Sequence, residues 1–232
     1  RVLELTMQLR HSPSLSECTA ATHHPTLVQF QEENNWTLVL QPASLYALHR
    51  TPGLAVFDMD STLIQQEVID ELARAVGLYD QVAAITEAAM RGEAPYTDFE
   101  ASLRARVGLL KGVPMSIWKD LREGVITFTP GAKDLVKVLK GELVADAPII
   151  HAAKKRELLL QLAAENGIPA ERAIAVGDGS NDLLMMGVAG LGVAFNAKPK
   201  VQLAAPSRLN GESLMDVVHV LGYTREEVQK FL

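Results

Sequence analysis

Apolar positions gather in three short unbroken runs, Leu54–Phe57, Ala173–Val176 and Leu191–Phe195, each bounded by glycine, proline or polar residues. Runs of this length, rich in Val, Ile, Leu and Ala, predict strands buried in a parallel sheet. Between the first two runs the period changes. Val68, Ile69, Leu72, Ala73 and Val76 share one helical face, and Gly77 follows as a helix stop. A second helix is predicted over 81–90. A third follows Asp98 as N-cap, with Phe99, Leu103, Arg106 and Leu110 on one stripe. Residues 67–127 therefore form a helical lobe inserted after the first strand, and 124–128 return the chain to the sheet. Further helices are predicted at 129–141, with Pro130 in the first turn and Gly141 beyond the last, and at 155–166. The alternation predicts an α/β fold whose parallel-sheet core is built from 51–66 and 128–232. Residues 1–50 carry one predicted strand, Trp36–Leu40, and otherwise read as a solvated extension. Trp118, Met185 and Met186 read as core, Lys198 and Lys200 as a solvated loop, and the C-terminal TREEVQKFL as a short amphipathic helix.

The ends of the first two runs carry acids. "LAVFDMDSTL" places Asp58 and Asp60 one residue apart after the first strand, and "AIAVGDGSND" places Asp178 after the second. In open α/β sheets ligands bind beyond the C-terminal ends of the strands. Alternate residues of an extended segment point the same way, so Asp58 and Asp60 can both be aimed into one site. An aspartate can attack phosphorus and form an aspartyl-phosphate. A second carboxylate can protonate the leaving oxygen and then activate water. Grouped carboxylates also bind a hard cation, and oxygen ligands favour Mg²⁺. Polar turns would explain either acid motif alone, and Asp178-Gly179 is an ordinary turn dipeptide. Their joint placement at parallel strand ends is harder to account for that way. Arg106, on an apolar stripe, suits a planar fork binding carboxylate or phosphate, or else a side chain snorkelling at the stripe's edge.

Composition narrows the partners. The 232 residues are 48% hydrophobic, with 22 basic against 28 acidic residues and a formal charge of −6, which argues against nucleic acid or an anionic membrane as the general partner. No apolar run approaches membrane-span length, and no basic-then-apolar leader pattern opens the sequence. Cys18 is the only cysteine, so no intramolecular disulfide can form, in keeping with a reducing, cytoplasmic setting. Cys18, His23 and His24 suggest a metal, but a fourth ligand at a usual spacing is missing.

"DMDSTLIQQEVIDELA", "FEASLRARVGLLKG", "KKRELL", "VGDGSNDLLMM" and "AGLGVAFNAKPKV", in this order from Gly53 to about Lys200, resemble the phosphoserine phosphatases of the haloacid dehalogenase superfamily. The resemblance implies a Rossmann-like core with a helical cap. It implies Asp58 as nucleophile, Asp60 as general acid and base, and Lys155 as the lysine that neutralises the phosphoryl group. Mg²⁺ would be held by the Asp58 carboxylate, the Asp60 carbonyl and Asp178, with Asn181 and Asp182 in support. The substrate would be a small phosphorylated amino acid, its carboxylate on Arg106 and its amino group on Glu67. Met90 and Phe99 match apolar cap residues that close over the substrate, with core packing inside the helical lobe the equal alternative. Family members occur as monomers or dimers, so a homodimer stays open.

One motif of that family has no counterpart. A Ser or Thr followed by glycines should end a strand between the cap and Lys155; here the helix ending "KVLKG" abuts "ELVADAPIIHAAKK" near Gly141-Glu142, and roughly a βαβ unit of 30 or more residues is missing. A segment carried by the molecule but absent from this sequence is expected, because loss of a central strand would expose apolar surface; a true deletion would leave an inactive binding relative. Phosphotransfer to another alcohol, and action on another small phosphomonoester, are the neighbouring readings. A phosphoacceptor signalling domain also places acids at strand ends, but such domains lack the helical lobe.

Overall fold

The computed structural model describes residues 2–97, 99–139 and 152–232. In chain order the elements are α1 (Leu15–Thr22), α2 (Pro25–Asn34), α3 (Ala43–His49), β1 (Leu54–Phe57), α4 (Val68–Ala75), α5 (Tyr79–Arg91), α6 (Phe99–Leu109), α7 (Met115–Gly124), α8 (Ala132–Val138), α9 (Ala152–Glu165), β2 (Ala173–Gly177), α10 (Leu183–Met186), β3 (Leu191–Phe195), α11 (Pro199–Ala204), β4 (Ser207–Leu209), α12 (Asp216–Val220) and α13 (Arg225–Gln229). The chain divides into two compact units, Arg1–Leu63 with Thr129–Leu232, and Ile64–Phe128.

The first unit is an α/β structure. Its sheet runs β1-β2-β3-β4 with every neighbouring pair parallel. Period-two alternation sorts side chains by size. Ile174, Val176, Leu191, Val193 and Phe195 face one way, against Leu135 of α8, Val217 and Val218 of α12 and Val228 of α13. Ala173, Ala175 and Ala194 face the other way, against Leu159 of α9, Met185 and Met186 of α10 and Val201 of α11. Small residues on that second face let α10 come close: a Cβ on Gly192 would lie 2.4 Å from the Met186 carbonyl oxygen. The expected buried first strand, β1, is only half-buried along its length. Among the described residues it pairs with β2 alone and so forms an edge.

Residues 1–50 depart from the solvated extension. The predicted strand at Trp36–Leu40 does not form, because no neighbouring strand offers a ladder; Leu38 N instead donates to Gln31 Oε1 at 2.9 Å. Three helices form, α1 closed by a Ser14/Glu17 capping box. The last of them is fastened, directly and through its flanking residues, to the segment before β2 and to the α12–α13 region. His49 is fully buried, with Nδ1 2.5 Å from Gln41 Oε1 and Nε2 3.1 Å from the Glu171 carbonyl, while Gln41 Nε2 donates to Val220 O at 3.1 Å. Arg50 pairs with Glu227 at 2.8 Å, and the Tyr223 hydroxyl donates to the Arg50 carbonyl.

The second unit is helical, α4 to α7. Leu72 and Ala73 of α4 and Val82 of α5 are buried, as the helical stripe requires. Trp118, read as core, is 43% exposed, since it lies with Met115 on the outer face of α7. Residues 124–128 do not rejoin the parallel sheet. Phe128 makes a single antiparallel bridge to Ile64, and Gln65 N donates to Thr127 O at 3.0 Å. The Asp98 cap and the Gly141-Glu142 seam lie outside the described residues.

Gly192→Ala is expected to lower stability by about 1–3 kcal/mol, since a methyl group must displace the α10 backbone. Gly108→Ala, in α6 with open space around it, is expected to raise it by roughly 0.5–1 kcal/mol. Urea midpoints of the two variants check the pair; equal effects would contradict the close approach of α10.

Candidate active site

The acids converge because the strands that carry them pair in register. Phe57 lies opposite Val176, and Asp58 N continues the ladder by donating to Val176 O at 2.8 Å. The chain then leaves the strand through a tight turn over Met59–Leu63. Asp60 keeps extended angles, and Ser61 adopts a positive φ of 54°. Met59 N donates back to Asp58 Oδ1 at 2.9 Å, which fixes the orientation of that carboxylate.

After β2 the chain turns into a short 3₁₀ segment, Ser180–Asp182. Asp182 folds back beneath it, fully buried, and its Oδ2 accepts from Gly179 N at 3.0 Å. A Cβ on Gly177 would lie 2.4 Å from the Asp182 carboxylate, so the glycine at the strand end is what admits this acid. Lys155, near the start of α9, reaches both acids: its Nζ lies 2.6 Å from Asp58 Oδ1 and 2.6 Å from Asp182 Oδ1. Burial lowers the Lys155 pKa, but Asp182 and Asp58 outweigh it and the net shift is upward, so the lysine stays charged. The Asp182 carboxyl is pushed up to about 6, by burial first and then by Asp58, against the opposing pull of Lys155.

Oxygen atoms of Asp58, Asp178 and Asp182 lie within 4.8 Å of one another. Lys155 holds two of these three carboxylates, and hard oxygen donors grouped in this way fit a bound cation. Asp182, expected only in support, is thus one of the three clustered carboxylates. Its position four residues after Asp178 is the signal that could have placed it there. Asp60 follows in the same turn; its expected ligand atom is its carbonyl. Asn181 sits half-buried beside Asp182. Cys18, His23 and His24 are not assembled as ligands: Cys18 is buried, and His24 caps α2 by accepting from Thr26 N at 3.3 Å. Lys198 and Lys200 are exposed.

The other expected residues belong to the helical unit. Glu67 is the N-cap position of α4 and is exposed. Arg106 lies half-buried in the last turn of α6, its Nε donating to Ser102 O at 3.4 Å. Phe99 is 42% exposed, which goes against simple core packing. Met90 lies in α5, its side chain outside the described atoms.

Residues 149–210 match the model of the haloacid dehalogenase-like hydrolases. The chain is 40% identical over 221 residues to a probable phosphoserine phosphatase of Schizosaccharomyces pombe, covering 77% of this chain and 73% of the relative. It belongs to the phosphoserine phosphatase family. To the phosphoserine phosphatase of Streptomyces coelicolor it is 41% identical, over 78% of this chain and 53% of that one, so it spans about half of that longer relative. A haloacid dehalogenase family hydrolase from Salmonella enterica serovar Typhi has the same fold, with a TM-score of 0.70 and 29% identity over 87% of this chain and 82% of that one. The fission-yeast match also measures a difference. Since 77% of 232 residues is about 179, about 40 of the 221 aligned positions face no residue here, enough for the βαβ unit missing from the sequence pattern.

The raised carboxyl pKa of Asp182 gives a pH signature in metal-free protein. A folded-state pKa raised above the unfolded value contributes stability that is complete below the ordinary carboxylate range, roughly pH 4, and is lost as the pH rises through about 6. Wild type is therefore expected to lose stability relative to Asp182→Asn across that window. Urea midpoints of both proteins from pH 4 to about 7 check this; a wild type that gains on the variant as pH rises would refute the assignment.

Proposed function

We propose that this protein is a Mg²⁺-dependent phosphatase that hydrolyses O-phospho-L-serine to L-serine and phosphate, the closing step of serine biosynthesis, in the cytoplasm. The observation that carries the reading is the Asp58 carboxylate at the C-terminal end of β1, held 2.6 Å from Lys155 within a cluster of three acids. Family membership gives the substrate class, since the relatives matched are named phosphoserine phosphatases.

In this reading an Asp58 oxygen attacks phosphorus, and the bond between phosphorus and the serine oxygen breaks as Asp60 gives that oxygen a proton. Asp60 then takes a proton from water, which attacks the aspartyl-phosphate, releases phosphate and restores Asp58. Lys155 offsets phosphoryl charge and holds Asp58 in its attacking orientation. Asp58, Asp178, Asp182 and the Asp60 carbonyl would hold Mg²⁺, which when bound neutralises charge on the phosphate oxygens. Glu67 and Arg106 recognise the amino and carboxylate groups, Asn181 assists binding, and Met90 and Phe99 exclude water from the substrate.

A second reading has its own observation. About 40 positions of the S. pombe relative have no counterpart here, and the Ser or Thr with glycines expected before Lys155 is among what the sequence lacks. A chain without further grips on the phosphoryl oxygens would bind metal and ester yet turn over slowly.

Phosphate release from O-phospho-L-serine with Mg²⁺ separates the two. The first reading expects multiple turnovers that stop on chelation and fall by at least roughly a thousandfold in Asp58→Asn, with the fold retained. Binding without release in the wild type would favour the second reading, and comparable activity in wild type and Asp58→Asn would overturn the nucleophile assignment.

A further inference from the structure

The segment before α1 carries a pattern that the fold leaves unused. Leu3, Leu5, Met7 and Leu9 alternate with polar residues, the period of a strand with one apolar face. Residues 2–10 nevertheless belong to no helix or strand, and these four side chains are 55–74% exposed. Among the described residues, 2–13 make no backbone hydrogen bond. An alternating strand is stabilised only when a second strand pairs with it and shares its apolar face.

The segment is held at both ends and open between them. The Tyr46 hydroxyl of α3 donates to Glu4 Oε2 at 2.8 Å, and Ser14 leads into the capping box of α1. Tyr46 is itself seated against the turn after α12, where a Cβ on Gly222 would lie 2.7 Å from its Cζ. Glu4 keeps its second carboxylate oxygen for another donor. Arg10 makes no ion pair among the described residues.

These two charges choose the partner. A slip of one residue sets polar against apolar side chains, so opposed residues must both be odd-numbered or both even-numbered. Of the antiparallel registers left, the one centred on Met7 places Glu4 opposite Arg10 of the partner subunit and Arg10 opposite the partner's Glu4. It also sets Leu5 against the partner's Leu9 and Thr6 against the partner's Gln8, which keeps every apolar residue on one face. A parallel pairing in register would oppose like charges, Glu4 to Glu4 and Arg10 to Arg10, and is disfavoured. We propose that residues 3–10 form a two-stranded antiparallel ribbon with the same segment of a second copy of this chain, about a two-fold axis at Met7. Such an interface is isologous. It is also smaller than the roughly 1,000 Å² of a stable complex, so the dimer is weak and forms at roughly 10 μM or above.

Sedimentation equilibrium of the full chain is expected to show monomer and dimer exchanging in that range. Arg10→Glu sets acid against acid at both ends of the ribbon and is expected to raise the dissociation constant by roughly tenfold or more. Adding Glu4→Arg to it re-forms both pairs and is expected to recover part of the loss. Cross-linking reads the register. In a Cys18→Ser background, Met7→Cys brings two thiols face to face across the axis and is expected to yield a disulfide-linked dimer on mild oxidation. Leu3→Cys leaves its thiols roughly 27 Å apart and is expected to yield none. A chain that stays monomeric up to roughly 200 μM, a dimer indifferent to Arg10→Glu, or equal cross-linking from Leu3→Cys and Met7→Cys would overturn the proposal.

Discussion

One buried ammonium makes the acid cluster possible. Three carboxylates with oxygens inside 4.8 Å would repel one another, each pair by about 4 kcal/mol at 4 Å in an effective dielectric of 20. Lys155, at 2.6 Å from both Asp58 and Asp182, offsets part of that repulsion and uses one side chain to tie β1 to the turn after β2. Its compensation is incomplete, as the raised Asp182 carboxyl shows. The remaining charge is what a hard cation would answer. The same imbalance that costs stability in the metal-free chain supplies affinity for the metal, so site and scaffold share one electrostatic constraint.

Packing serves that constraint. Strands β2 and β3 put their large side chains on one face and alanine and glycine on the other. On the small-residue side α9 and α10 can sit close to the strands, and α9 brings Lys155 to the strand ends while the turn into α10 brings Asp182. Gly177 extends the same device to the site itself, because any side chain there would take the space of the Asp182 carboxylate. A loss of smallness at Gly192 or Gly177 would thus be felt as misplacement of acids, not only as lost stability.

The parts legible in sequence are those where a local pattern had one physical meaning. β1, β2 and β3 could be read from apolar runs because buried parallel strands need such runs, and Asp58 and Asp178 from their places at the run ends. β4 escaped notice because Ser207-Arg208-Leu209 is too short and polar to form a pattern; its Ser207 hydroxyl donates to Gly192 O at 2.6 Å, a contact that exists only after folding. The apolar stretch Trp36–Leu40 suggested a strand, but a strand needs a strand partner, and its Trp36 and Leu38 amides donate instead to the backbone carbonyl and side-chain oxygen of Gln31 in α2. Trp118 suggested core by composition, yet it lies three residues from Met115 on a face of α7 where both side chains are exposed.

The missing segment changes how the edge of the sheet must be understood. In a parallel α/β sheet, central strands are covered on both faces and paired on both sides, and their residues are fully buried, as β2 and β3 are here. β1 carries the proposed nucleophile yet is half-buried and, among the described residues, paired on one side. A relative with about 40 further positions has chain enough for another strand and crossover. The β2 ladder holds the Asp58 backbone, and the Met59 amide and Lys155 hold its carboxylate. Turnover in this chain should therefore be more sensitive to Lys155 than chemistry alone would demand, because the lysine supports the nucleophile's geometry as well as its charge.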